Sequence, residues 1–121
     1  MNKESISVQL YTTRKFQPYA PILNFINELG LINLELFGLE SMNIDEFKNM
    51  MESNNITSHS THVGFEALQD TKNIVDRAKK LNIKHVIVPA PPAKKDGEFK
   101  NTFDMNEEEW MSFGKDLSTY V

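Results

Sequence analysis

The stretch Ser5–Arg14, SISVQLYTTR, sets how the rest of the chain is read. Ile6, Val8 and Leu10 alternate with Ser7, Gln9 and Tyr11, so a strand here has one apolar face and one polar face. Three further runs follow the same logic. The candidate strands are Ile6–Thr12, Ile32–Phe37, Ile56–Val63 and Lys84–Pro89, and their starts lie about 24 to 28 residues apart, the size of a βα unit.

Helical patterns fill the intervals. After Pro18 and Pro21, the residues Ile22, Ile26 and Leu29 recur at helical spacing, and Gly30 sits where a left-handed C-terminal cap is wanted. Asn43 with Glu46 resembles a capping box opening a helix over Ile44–Ser53, with Phe47, Met50 and Met51 on its apolar side. Leu68, Val75, Ala78 and Leu81 form a stripe on a third helix that ends at Asn82. Asn106 with Glu109 opens a fourth, whose buried face is expected to be Trp110, Phe113 and Leu117. The acidic run Glu107–Glu109 suits a helix N-terminus, where the dipole favours negative charge.

The resulting order, βαβαβαβα, predicts an α/β fold with parallel strands and right-handed crossovers. Residues 1–121 read as one domain, because no linker or low-complexity segment divides them. The long irregular stretch Pro89–Met105 follows the fourth strand, and its lysines and lone Gly97 suit a mobile loop or a lid.

In a doubly wound sheet both faces pack on helices, and central strands are apolar throughout. Here they are not. Gln9 and Tyr11 share a face of the first strand, Asn33 and Glu35 of the second, and Ser58, Ser60 and His62 of the third, while Val8, Leu10, Leu34 and Leu36 are expected under the helices. One helix-covered face and one polar face describe the wall of a (β/α) barrel, whose active sites lie at the C-terminal ends of the strands. Tyr11, Glu35 and His62 are expected to project there.

Composition narrows the partners. A net charge of −4 argues against nucleic acid or an anionic membrane surface as the main partner. With no cysteine, disulfides, thiolate metal sites and a Cys nucleophile are excluded. The start, MNKESISVQLY, lacks the apolar core of a signal peptide, so the expected location is cytoplasmic.

The runs SVQLYTTR, INLELF, STHVGFEAL and KHVIVPAPP, in this order and spacing, resemble the sugar phosphate isomerase/epimerase family of xylose isomerase-like TIM barrels. The resemblance implies that the chain is the N-terminal half of a (β/α)8 barrel that is roughly twice this length. It also implies proton transfer next to a carbonyl through an enediolate, with a divalent metal (Mn, Mg, Co or Zn) in the full-length family. The family's metal ligands, Glu, Asp, His and Glu, come from the second half of the barrel. None is carried over to this chain, no metal is expected on the chain alone, and no catalytic residue is assigned. What is implied here is a substrate-facing wall of Gln9, Tyr11, Glu35 and His62 for a sugar or polyol-like molecule.

Simpler roles stand beside these. His62 also suits capping a strand end, and Gln9 and Tyr11 suit polar packing inside a barrel. Arg14 is a fork donor for phosphate or a surface ion pair, and Lys94 and Lys95 suit solvated positions. His59 and His62, three apart on a strand, point to opposite faces and cannot chelate one ion. In the distantly related zinc endonucleases a second ligand follows the next strand, where this chain has Pro89–Pro92, which argues against a zinc cluster.

Four strands leave the first and fourth edges unpaired. A homodimer closing edge to edge, a complementary half-barrel chain, or a truncated reading frame each accounts for them. The catalytic expectation is that activity needs the missing half. The alternative is a non-catalytic half-barrel that binds a sugar or a partner chain.

Overall fold

Four strands pair in parallel and in chain order. They are β1 (Ser7–Gln9), β2 (Asn33–Phe37), β3 (Thr57–His62) and β4 (His85–Ile87), giving the spatial order β1-β2-β3-β4. The computed structural model describes residues 3–91 and 102–120. Between and after the strands run α1 (Ala20–Glu28), α2 (Ile44–Ser53), α3 (Thr71–Lys80) and α4 (Glu107–Leu117). Right-handed crossovers that all advance in one direction place every connecting helix on the same face of the sheet. A doubly wound sheet reverses its strand order at a switch point, and this sheet has no reversal. The chain is thus an α/β fold of four βα units, consistent with half of a (β/α)8 barrel.

Burial follows the two faces. Leu34 and Leu36 of β2 are buried while Asn33, Glu35 and Phe37 between them are only half-buried. Under the helices, Leu34, Leu36 and Leu10 meet Leu23 and Ile26 of α1, Phe47 and Met51 of α2, and Ile74 and Ala78 of α3 in one core cluster. Burial of this many large aliphatic side chains, each contributing about 1.5–3 kcal/mol, is the main stabilising term.

The strand ends differ from expectation in two places. β1 is shorter than Ile6–Thr12, because the chain winds into a 3₁₀ turn over Leu10–Thr13. Gln9 Oε1 accepts from Tyr11 N (2.9 Å), and the Thr12 and Thr13 hydroxyls donate to the Gln9 and Leu10 carbonyls (both 2.7 Å). These local bonds outcompete continuation of the ladder. Tyr11 therefore stands beyond the strand end, not on its polar face.

β3 carries a bulge. Leu34 pairs with Ser58 but Glu35 pairs with Ser60, so His59 is an extra residue and the side-chain alternation resets. Ser58 therefore lies on the helix-covered side, buried, with its hydroxyl donating to the carbonyls of Leu34 (2.7 Å) and Ser60 (2.9 Å). It does not share the open face with Ser60 and His62, which do face the same way as Glu35.

The helices confirm the caps and revise the core. α2 begins after Asn43, which accepts from Glu46 N (3.4 Å), and α4 begins with a complete capping box between Asn106 and Glu109. Leu23 is buried in α1 where Leu29 was expected, and Ile74 in α3 where Val75 was expected; Leu29 and Val75 are exposed. None of the α4 residues is buried, and Trp110 is exposed. Of the expected face, Phe113 and Leu117 are half-buried: Leu117 packs against the core, and Phe113 docks with the following Tyr120 on Phe65, with ring centroids 5.5 and 6.0 Å apart. Gly30 adopts the expected left-handed conformation (φ +71°).

Of the stretch Pro89–Met105, Lys94, Lys95 and Gly97 lie outside the described residues. Among the described residues, no helix is long and apolar enough to cross a membrane.

Candidate functional site

The C-terminal ends of all four strands open into one cleft of about 580 Å³. Each strand delivers residues to it: Tyr11 past β1, Phe37, Gly38 and Glu40 at the end of β2, His62 to Glu66 at the end of β3, and Pro89 to Pro91 past β4. This is the edge at which α/β proteins bind ligands, because the loops that follow the strands converge there on a rigid sheet. Gly38 has φ +66°, the left-handed conformation that turns the chain out of β2 and places Glu40 on the rim.

The apolar wall is braced from the core. The Tyr11 ring meets Phe37 edge-on at 5.2 Å, Phe37 meets Tyr19 at 6.5 Å, and Tyr19 meets Phe47 of α2 at 5.9 Å. Arg14 lies over the Tyr11 ring, its guanidinium 4.1 Å from the centroid and its Nη1 donating to the Tyr11 carbonyl (3.0 Å). Arg14 is thus engaged with Tyr11 and does not line the cleft. On the outer side, Arg77 of α3 donates from Nε to the Leu39 carbonyl (2.7 Å) and from Nη2 to the Met42 carbonyl. That fork ties the loop after β2 to the helix layer.

Below the cleft, on the face away from the helices, four polar side chains form one network. Glu35 Oε1 accepts from Gln9 Nε2 and stands 3.2 Å from His62 Nε2, while Glu35 Oε2 accepts from Ser60 Oγ at 3.1 Å. Gln9 Oε1 is occupied by the Tyr11 amide, which turns Nε2 toward Glu35 and, at 3.4 Å, toward His62 Nδ1. The imidazole tautomer that satisfies both of its contacts donates from Nε2 to Glu35 and accepts at Nδ1 from Gln9. The side chains of His62 and Glu35 are 27% and 25% exposed, so the pair is shielded without being sealed.

The four expected site residues are therefore brought together in two roles. Tyr11 and His62 line the cleft; Gln9 and Glu35 lie beneath it and hold His62. The reading from sequence missed Glu40, Phe65 and Glu66 in the lining. A signal for them exists: Gly38-Leu39-Glu40 and Gly64-Phe65-Glu66 repeat the same Gly-apolar-Glu pattern just past β2 and β3. His85 begins β4 opposite Ser60, at the far end of that strand from the cleft, and His59 is the exposed residue at the bulge.

Among the described residues, no group of three or more His, Asp or Glu side chains is placed to hold a metal ion. Glu35 and His62 supply two donor groups, and these are bonded to each other. The described residues thus do not form a site for the divalent metal that the family resemblance implies.

No family profile and no curated protein matches the sequence. Among solved structures, the chain is similar to the crystal structure of protein SMc04130 from Sinorhizobium meliloti 1021, with a TM-score of 0.58 at 14% identity. The match takes in 98% of this chain and 47% of that one, so the chain spans about half the length of that protein. The likeness is one of fold.

Proposed function

We propose that this chain is the N-terminal, substrate-facing half of a sugar or sugar phosphate isomerase/epimerase of the xylose isomerase-like barrel type. The observation that carries the reading is the Gln9–Glu35–Ser60–His62 network, set on the face away from the helices and directly beneath the C-terminal cleft. A polar cluster in that place suits hydroxyl recognition at the floor of a barrel site. The stretches that carry the family resemblance, SVQLYTTR, INLELF and STHVGFEAL, supply these same residues.

In this reading the chain binds and orients a polyol-like substrate. Tyr11 and Phe37 offer an apolar wall, and His62, held by Glu35 and Gln9, presents the polar group nearest the cleft. The family's metal and its proton-transferring carboxylates come from a second half, a complementary chain docked along the β1 and β4 edges. A specific observation favours a second reading, a non-catalytic sugar-binding half-barrel. Both oxygens of Glu35 and both nitrogens of His62 have partners within the network, which leaves no idle acid or base in it.

The test is isomerisation or epimerisation of a ketose panel with Mn²⁺, for the chain alone and mixed with a complementary (β/α)4 segment. Turnover confined to the mixture and lost in His62→Ala supports the enzyme reading. Turnover indifferent to Glu35→Ala and His62→Ala sinks the residue roles, and sugar binding without turnover in any mixture favours the second reading.

A further inference from the structure

Within the sugar-site reading above, on which this step rests, we infer that the cleft selects an uncharged polyhydroxylated ligand and discriminates against its phosphate ester. The lining combines three aromatic rings, Tyr11, Phe37 and Phe65, with two carboxylates, Glu40 and Glu66. No Lys or Arg is among the described lining residues. A free sugar matches this surface: its C–H face lies on aromatic rings, and its hydroxyls donate to the rim carboxylates.

A phosphate ester does not match it. Neither Glu40 nor Glu66 has a cationic partner among the described residues, whose ion pairs lie elsewhere. Both carboxylates are exposed on the rim, so their charge acts on whatever enters. Arg14, the guanidinium beside Tyr11, is bonded to the Tyr11 carbonyl and stacked on its ring, and it does not line the cleft. The chain's net charge of −4 adds to the repulsion of a dianion.

Like charges a few ångströms apart in partly solvated surroundings weaken association by about ten-fold or more at low salt, and added salt reduces the effect. The experiment is an amide-resolved NMR titration of the whole chain with D-fructose and with D-fructose 6-phosphate. Low salt and 0.5 M salt are compared, a contrast of about 10 Å against a few ångströms of screening length. The expected result is shifts at Tyr11, His62 and Phe65 with free sugar and binding of the ester about ten-fold weaker, the gap closing at high salt. The double variant Glu40→Gln/Glu66→Gln, which removes both rim charges and keeps a hydrogen-bonding amide at each position, is expected to reduce the gap below about three-fold, chiefly by tightening the ester.

Equal or tighter binding of the ester overturns the inference and leaves the sugar-site reading standing. A gap that persists in the double variant and in high salt also overturns it, since the carboxylates are then not its cause. Binding of neither compound at millimolar concentration overturns the inference and the sugar-site reading together.

Discussion

His62 Nε2 lies 3.2 Å from Glu35 Oε1, although the two residues belong to neighbouring strands and His62 is not the residue opposite Glu35. The residue opposite Glu35 is Ser60, whose hydroxyl takes the other carboxylate oxygen, and His62 is opposite Phe37. The imidazole therefore reaches back along the sheet while its position at the strand end keeps it in the cleft wall. Glu35 acts on this site as a positioning residue, through His62.

Removing that carboxylate leaves three donors, on Gln9, Ser60 and His62, without their acceptor. Glu35→Ala is expected to lower unfolding stability by about 1–2 kcal/mol, moderated by partial exposure. It is also expected to shift the ¹⁵N resonances of the His62 ring as its tautomer is released. Unchanged imidazole resonances would show that Glu35 does not orient His62.

The bulge makes a prediction about deletions. Removing His59 restores an unbroken register with Ser60 still opposite Glu35, so the fold and the Glu35–His62 contact should survive. The cost is about 1 kcal/mol for the bond that the His59 carbonyl accepts from Lys84 N (2.9 Å). Removing Thr61 instead turns His62 toward the helix layer and should abolish cooperative unfolding. Circular dichroism melts of the two deletions distinguish these outcomes; equal damage from both would contradict the register.

Arg77 is expected to behave as a non-interchangeable cation. Arg77→Lys cannot serve the Leu39 and Met42 carbonyls with one planar fork, and is predicted to cost about 1–2 kcal/mol. Hydrogen exchange should quicken over Gly38–Asn43 while β3 stays protected. Exchange confined to α3 would place the effect elsewhere.

Leu36→Ala tests the core directly. The side chain is fully buried (0% exposed) between β2 and the helices, so the substitution should cost about 2–5 kcal/mol, read from urea unfolding midpoints. A loss below about 1 kcal/mol would mean that the helix layer collapses easily onto the sheet.

Asn106→Ala should fray α4 alone. The bond that Asn106 Oδ1 accepts from Glu109 N (2.9 Å) is lost, at about 1 kcal/mol, while the backbone N–H of residue 106 still donates to Glu109 Oε2. Because α4 buries no residue, the change should appear as local exchange from Glu107 onward with little movement of the global melt. A global melt shifted by the full amount would show α4 to be part of the cooperative core.

Elements written in a few consecutive residues were legible in advance. α2 runs over Ile44–Ser53 as its Asn43 cap and Phe47/Met51 spacing imply, and β2 buries Leu34 and Leu36 by simple alternation. Caps and periodicity act within one or two turns of chain, so they can be read without knowing what lies nearby. The bulge at His59, the turn that ends β1 at Gln9 and the docking of α4 on Phe65 could not be read this way. Each depends on a competition between local bonds and a partner far along the chain. The same holds for the cleft: Glu40 and Glu66 line one cleft because β2 and β3 are adjacent and parallel, and residues 26 apart become neighbours when the strands pair. Sequence thus sets the alphabet of strands, helices and caps; pairing across the sheet sets which side chains share a site.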